Sequence, residues 1–335
     1  MSGAAAPAVE VTRLTKVYLP SPRWMRVFLR TQISQPIRAL DEVSLSFARG
    51  QICVVAGPNG AGKTTLFKIL TGLLAPTDGL ASVVGIDATR ESAELRRVVG
   101  FMAGDDRSLW LRLSCAQNLE FRGRLQGLNG NELQRRIDDV LDAVNLGDVR
   151  NNVGFALSAG MRARLQLACA MLHDPPVLIL DEPTAAVDPL ASFDLVERIR
   201  KLTTERNLAV LFSTHRVDEI EALGEKVVLL HKGKLVHSGA IGALRGNLER
   251  ERVSIRFASQ AAARRAIQLL DGAGDIEVMP LEGDLVTIET GTRIGQVLAR
   301  LAETSSEITS VNEERLPLRE VLAERLGHTP ESGAS

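Results

Sequence analysis

Apolar and polar residues alternate along two early stretches, Val9 to Tyr18 (Val11, Leu14, Val17) and Ala39 to Phe47 (Leu40, Val43, Leu45, Phe47). This is the two-residue period of strands with one buried face. Gln51 to Ala56 is almost wholly apolar and runs into a glycine-rich turn, after which Thr64 to Gly72 takes the spacing of a buried helix. The middle of the chain, about Ser108 to Gly154, reads mostly as helix (Cys115 to Leu125, Asn131 to Val144), and another helix follows from Ala159 to Leu172. Strand and helix then alternate through Val177 to Leu180, Leu190 to Leu202, Leu208 to Ser213 and Val217 to Leu223. Strands Lys226 to Leu230 and Lys234 to His237 close the series. Apolar strands interleaved with helices predict an α/β fold, a parallel sheet covered on both faces, with the helical middle as an inserted subdomain.

A separate pattern starts near Arg252. Strand Arg252 to Phe257, helix Gln260 to Leu270, strands Asp275 to Met279 and Asp284 to Glu289, helix Ile294 to Ala302 and strand Glu307 to Val311 succeed one another. That order, β-α-β-β-α-β, predicts a small ferredoxin-like α+β unit; the alternative is an irregular helical tail. The expected organisation is a first domain over 9–245 with its helical subdomain at 104–160, and an accessory domain over 250–326. Disordered or flexible ends are expected at 1–8 and 327–335.

Charge changes this picture by exclusion. Lys and Arg number 40 against 41 Asp and Glu, so the basic excess of a protein whose main partner is a nucleic-acid backbone is missing. Cys53, Cys115 and Cys169 are too scattered for a disulfide framework or a zinc site and read as reduced, packed thiols. The first residues lack the basic cluster and long apolar run of a secretory signal. No stretch of roughly 18 apolar residues is present to span a bilayer.

The strongest chemical signal is Gly57-Pro58-Asn59-Gly60-Ala61-Gly62-Lys63-Thr64-Thr65. It fits G-x-x-x-x-G-K-[ST] and lies between a predicted strand and a predicted helix, the context a phosphate loop requires. Glycines let backbone N–H groups approach phosphate oxygens, and the start of the following helix favours an anion. Lys63 is expected to reach the β- and γ-phosphates and the Thr64 hydroxyl to ligate Mg²⁺. A second signal is Val177-Leu178-Ile179-Leu180-Asp181-Glu182, a buried strand with acids at its carboxyl end. Asp181 is placed to hold Mg²⁺ through water and Glu182 to orient or deprotonate an attacking water, although acids after a strand also serve as helix caps. A third is Leu157-Ser158-Ala159-Gly160-Met161. Ser158 is either an ordinary N-cap or, with an exposed Gly160 backbone, part of a second helix-terminus anion site.

With these motifs in this order, the chain resembles the ABC ATPase family over about Val9 to Gly239. Walker A is Gly57 to Thr65, the signature is Leu157 to Met161, and Walker B is Val177 to Asp181. Glu182, a D-loop centred on Asp188 and an H-loop histidine, His215 in Phe212-Ser213-Thr214-His215, follow. The resemblance implies a P-loop NTPase fold with a small antiparallel subdomain. It also implies ATP and Mg²⁺ as cofactors, with Tyr18 stacking on adenine. Two copies are expected to pair head to tail, each ATP held between one copy's Walker A and the other's signature (Ser158, Ala159, Gly160), with His215 contacting the γ-phosphate. Catalysis would fall to Lys63, Glu182 and His215. The partners implied are a second ATP-binding subunit and transmembrane permease subunits, at the cytoplasmic side of the cell membrane.

Two departures stand out. The family usually has a glutamine that touches Mg²⁺ just after the strand ending Gly100-Phe101-Met102; Gly104 holds that position here, and Asp105 is the candidate to supply the ligand oxygen. The signature reads Leu-Ser-Ala-Gly-Met rather than Leu-Ser-Gly-Gly-Gln. The segment Leu19 to Arg38, with Arg23, Arg26 and Arg30 beside Trp24, Phe28 and Leu29 and no acid, resembles insertions in exporters of polysaccharides. It suits either an interfacial helix beside anionic headgroups or a solvated loop. Asp106 to Leu113 also resembles that group and its drug-export relatives, and the carboxyl-terminal unit resembles small regulatory appendages. An export motor is therefore expected, ahead of an importer ATPase. A soluble ABC ATPase would carry two cassettes or a coiled-coil insertion, and neither is present.

Overall fold

The computed structural model describes residues 7–20, 35–89, 92–104, 108–246, 251–270, 276–290, 294–302, 308–314 and 318–326. The core of the arginine-rich insert (21–34), Asp105 with its neighbours at 106–107, and the ends at 1–6 and 327–335 lie outside the described residues. The chain divides into two compact units, Met1–Ile241 and Gly242–Ser335.

In the first unit β1 (Val9–Tyr18), β2 (Ile37–Phe47) and β3 (Ile52–Ala56) lead into α1 (Lys63–Leu70). Next come β4 (Asp78–Val83), β5 (Ile86–Asp87), α2 (Ser92–Val98) and β6 (Val99–Ala103). The helical middle holds α3 (Cys115–Leu125), α4 (Gly130–Ala143) and α5 (Ala159–Met171). β7 (Val177–Asp181), α6 (Pro189–Glu205), β8 (Ala209–Thr214), α7 (Val217–Leu223), β9 (Lys226–His231) and β10 (Lys234–Gly239) complete it. A sheet of order β10-β9-β3-β8-β7-β6 is parallel from β9 to β6, with β10 antiparallel at its edge. A second, antiparallel sheet runs β2-β1-β4-β5.

Burial explains the parallel sheet. Every residue of β3, β7 and β8 is buried, as expected for strands covered on both faces, whose sequences are therefore apolar throughout rather than alternating. In the helical middle, Leu133, Ile137, Val140 and Leu141 form the buried stripe of α4 at helical spacing. α3 starts in a capping box: the Gln117 N–H donates to Ser114 Oγ at 3.2 Å and the Ser114 N–H to Gln117 Oε1 at 2.9 Å. All three cysteines are free and buried; burial pushes the Cys53 thiol up to about 12 and the Cys169 thiol to about 11, which makes them inert packing groups. Among the described residues no helix is long and apolar enough to cross a membrane.

A short helix, α8 (Ile241–Gly246), leads to the second unit: β11 (Glu251–Phe257), α9 (Gln260–Leu270), β12 (Ile276–Val278), β13 (Leu285–Thr290), α10 (Ile294–Ala302), β14 (Ile308–Glu314) and α11 (Leu318–Arg325). Its sheet has the order β12-β13-β11-β14 with every pair antiparallel, the ferredoxin-like arrangement that the strand–helix order predicts. Val253, Ile255, Phe257, Val286 and Ile288 pack with Ala263, Ala266, Leu270, Val297 and Leu301 of the two helices. The sequence pattern does not mark α11, which is tied to the sheet by ionic bonds: the Arg252 guanidinium donates to Glu289 Oε1 at 2.6 Å and to Glu320 Oε2 at 2.5 Å.

Candidate active site

Strand register places the chemistry. Asp181 at the end of β7 stands opposite Ala103 of β6 and Ser213 of β8, and Ala56 of β3 stands opposite Thr214 of β8. Four parallel strands thus end on one edge and deliver Gly57, Gly104, Asp181–Glu182 and Thr214–His215 to it. That is where open α/β sheets bind ligands.

The phosphate loop turns from β3 into α1. Gly62 caps the helix with φ 108° and no side-chain cap; a Cβ there would lie 2.5 Å from the Ala39 carbonyl oxygen, so only glycine fits this close, left-handed turn. Ala61 is buried, its N–H donating to the Pro58 carbonyl at 3.1 Å, while Asn59 and Gly60 are exposed at the tip. Lys63 is buried, its Nζ donating to the Gly57 carbonyl at 2.7 Å and to the Pro58 carbonyl at 3.3 Å. Thr64 is exposed, so its hydroxyl is free to meet a ligand. Thr65 meets Tyr18, their hydroxyls 3.4 Å apart, and the Lys16 ammonium lies 5.5 Å from the centre of the Tyr18 ring.

Glu182 joins this loop to the acidic strand. Its Oε1 lies 3.3 Å from Lys63 Nζ and 3.6 Å from His215 Nδ1. The three predicted catalytic side chains therefore meet at one point. Glu182 has φ 50°, a strained left-handed value for a residue with a Cβ. Ser213, fully buried, steadies it: its Oγ accepts the Glu182 N–H at 2.8 Å and donates to Asp181 Oδ1 at 2.6 Å. Sequence reading spelled out Ser213 within its motif but assigned it no bond, because both partners are some thirty residues away along the chain. Replacing Ser213 by alanine leaves a buried N–H and a buried carboxylate oxygen short of partners. This is expected to cost about 1–3 kcal/mol of stability, measurable by denaturant unfolding.

Gly104 follows β6 directly beneath this turn. A Cβ at Gly104 would come within 2.3 Å of the Glu182 carbonyl oxygen and 3.0 Å of that of Asp181. Nothing larger than glycine fits without moving the acids.

The signature forms a second cluster. Ser158 is exposed and caps α5, its Oγ accepting the Met161 N–H at 3.2 Å, with Ala159 half-buried beside it. The expectation of an exposed Gly160 backbone is corrected: Gly160 is buried, and a Cβ there would fall 2.6 Å from Ala191 Cβ. The first turn of α6 passes over it, so the glycine is required by packing. Asp188 is exposed and N-caps that same helix, accepting the Ala191 N–H at 3.0 Å. Ser158, Gly160 and Asp188 thus meet where the start of α5 packs against the start of α6, apart from the bonds around Lys63.

Among the described residues no group of three His, Cys, Asp or Glu side chains converges to hold a metal. Mg²⁺ does not need one: it keeps several waters and takes one or two protein oxygens beside phosphate oxygens. The exposed Thr64 hydroxyl and the Asp181 carboxylate suit that donor set.

Residues 40–185 match the ABC transporter family. The chain is 34% identical over 224 residues to the ABC transporter ATP-binding protein NatA of Bacillus subtilis, covering 67% of this chain and 91% of that one. It is 30% identical over 327 residues to the daunorubicin/doxorubicin resistance ATP-binding protein DrrA of Streptomyces peucetius, covering 96% and 93%. Its fold is similar to that of a dimeric ATP-binding cassette in a post-hydrolysis state bound to ADP and Pi. The TM-score is 0.59 at 24% identity, covering 70% of this chain and 98% of that one.

Proposed function

Because the chain belongs to the ATP-binding subunits of ABC transporters, an ATP-hydrolysing family, we propose that two copies of it clasp two Mg-ATP molecules and drive export through separate membrane subunits. The observation that carries the reading is the buried Lys63 ammonium held 3.3 Å from Glu182 at the carboxyl edge of the parallel sheet. Phosphates entering the loop take the Lys63 donors now spent on the Gly57 and Pro58 carbonyls. The N–H groups at the start of α1 face the same anion. Thr64 and Asp181 would hold Mg²⁺, which would supply positive charge to the phosphate oxygens. Glu182 orients the attacking water and accepts its proton; His215, 51% exposed, is free to reach the γ-phosphate. Tyr18 stacks on the base.

The head-to-tail dimer is supported by the signature cluster, whose exposed cap at Ser158 is available to the ATP of a second copy. The dimeric state of the similar cassette agrees. A permease partner is supported by an open groove of about 560 Å³ lined by Leu73, Phe101, Leu125, Arg96, Arg97 and Arg122. Trp110 and Phe121, in edge-to-face contact at 5.8 Å, expose 61% and 41% of their surface. Such a pair offers apolar surface for a membrane subunit to cover. The drug-resistance relatives support a drug-like cargo, and the composition of the arginine-rich segment at 19–38 supports a polysaccharide or lipid-linked glycan.

The test is Lys63→Ala in the purified chain. ATP affinity is expected to fall at least about tenfold with the loss of charge-assisted bonds to phosphate. Hydrolysis should fall on the order of 100-fold. Turnover that survives the substitution would overturn the assignment of the site.

A further inference from the structure

We propose that Glu219 is a positioning residue for ATP hydrolysis, holding His215 in register with the first turn of α6; the inference rests on the site assigned above. Glu219 is 3% exposed, and its two carboxylate oxygens are taken by different elements. Oε2 accepts the Thr214 hydroxyl at 2.5 Å, and Oε1 accepts the Ser192 hydroxyl at 3.0 Å, with Arg216 Nε 3.5 Å away. Arg216 Nη1 also donates to Ser192 Oγ at 3.4 Å.

The bonds form a chain of constraint that ends at His215. Thr214 closes the turn around His215, because its Oγ1 accepts the Arg216 N–H at 3.0 Å, a local side-chain-to-backbone turn. Glu219 fixes the direction of the Thr214 hydroxyl and so leaves its lone pair aimed at that N–H. His215 is half exposed, with Glu182 Oε1 3.6 Å from its ring, so the path of its backbone sets where the imidazole stands. At the other end Ser192 lies in the turn capped by Asp188, where Ala191 packs on Gly160. One carboxylate therefore ties the histidine loop to the helix that carries Asp188 and supports the signature.

Chemistry favours a geometric role over a purely stabilising one. A buried carboxylate is costly to desolvate, and well-packed apolar residues of similar volume are often as stabilising. What they cannot supply is direction for two hydroxyls and a guanidinium at once.

The experiment compares ATP hydrolysis, nucleotide affinity and thermal stability in the full chain for Glu219→Ala, Thr214→Ala, their combination, and Thr214→Ser. Glu219→Ala is expected to lower kcat about 10- to 100-fold, the scale of a misplaced catalytic group, with KM for ATP changed by no more than about twofold. Thr214→Ala should do the same, and the double variant should lose no more than the stronger single one, because both break one linkage. Thr214→Ser keeps the hydroxyl and should recover most of the turnover. Full kcat in a folded Glu219→Ala chain, losses that multiply in the double variant, or a serine no better than alanine would overturn the proposal. Should Glu219→Ala fail to fold, the two Thr214 variants decide the matter alone. Turnover that Lys63→Ala leaves unchanged would instead mark failure of the underlying site reading.

Discussion

Glu182→Gln will leave ATP bound, slow its hydrolysis by about 100-fold or more, the scale of a lost general base, and accumulate as an ATP-dependent dimer. Glutamine has nearly the same shape, and the bond that steadies this strained residue is made by its backbone N–H to Ser213, so the turn persists. What changes is charge. The carboxylate 3.3 Å from Lys63 and 3.6 Å from His215 becomes a neutral amide that cannot accept the proton of a water. Removing a negative group from the place where the γ-phosphate arrives also relieves repulsion, which favours the ATP-loaded state. Steady-state phosphate release and light scattering with and without Mg-ATP check both parts. A variant that turns over normally and stays monomeric would remove Glu182 from the role.

Gly104→Gln will also inactivate the chain, although glutamine is the residue the family usually carries here. The backbone carbonyls of Glu182 and Asp181 lie 2.3 and 3.0 Å from where its Cβ must go, and backbone atoms cannot swing aside as a flexible side chain would. Either the end of β6 or the turn after β7 has to move. A shift of about an ångström at the acids is expected to cost on the order of 100-fold in turnover, with a loss of about 1–3 kcal/mol in stability from overpacking. Gly104→Ala separates the causes: if contact at Cβ is decisive, alanine does nearly as much harm as glutamine. A Gly104→Gln chain as active as its parent would show that this carbonyl does not press on the position.

The parts of the fold written as local pattern were legible. α3, α7, α9 and α10 occupy the ranges their spacing predicts, and β3 and β8 announce themselves as apolar runs because both their faces are covered. β4, β5 and α2 were not legible. β4 opens on Asp78 and Gly79, the latter at φ 85°, and β5 has only two residues. Their strand character comes from pairing with β1 and with each other, a tertiary cause with little trace in the segment itself. The site divides in the same way. Lys63, Asp181, Glu182 and His215 could be named from motifs, and the first, third and fourth do converge. The bonds of Ser213, the bond between Glu219 and Ser192, the pressure of Glu182 on Gly104, and the burial of Gly160 under Ala191 depend on residues far along the chain. None of those contacts has a local signal.

The place of β8 in the sheet has a consequence for synthesis of the chain. β8 lies between β3, which carries the phosphate loop, and β7, which carries the acids, yet it is the last of the three to leave the ribosome. The strand that leads to Lys63 and the strand that leads to Glu182 therefore have no common neighbour in the sheet until Ala209–Thr214 has been translated and inserted between them. A nascent chain halted before that point holds the phosphate loop and the acids without the strand that lies between β3 and β7 in the finished sheet.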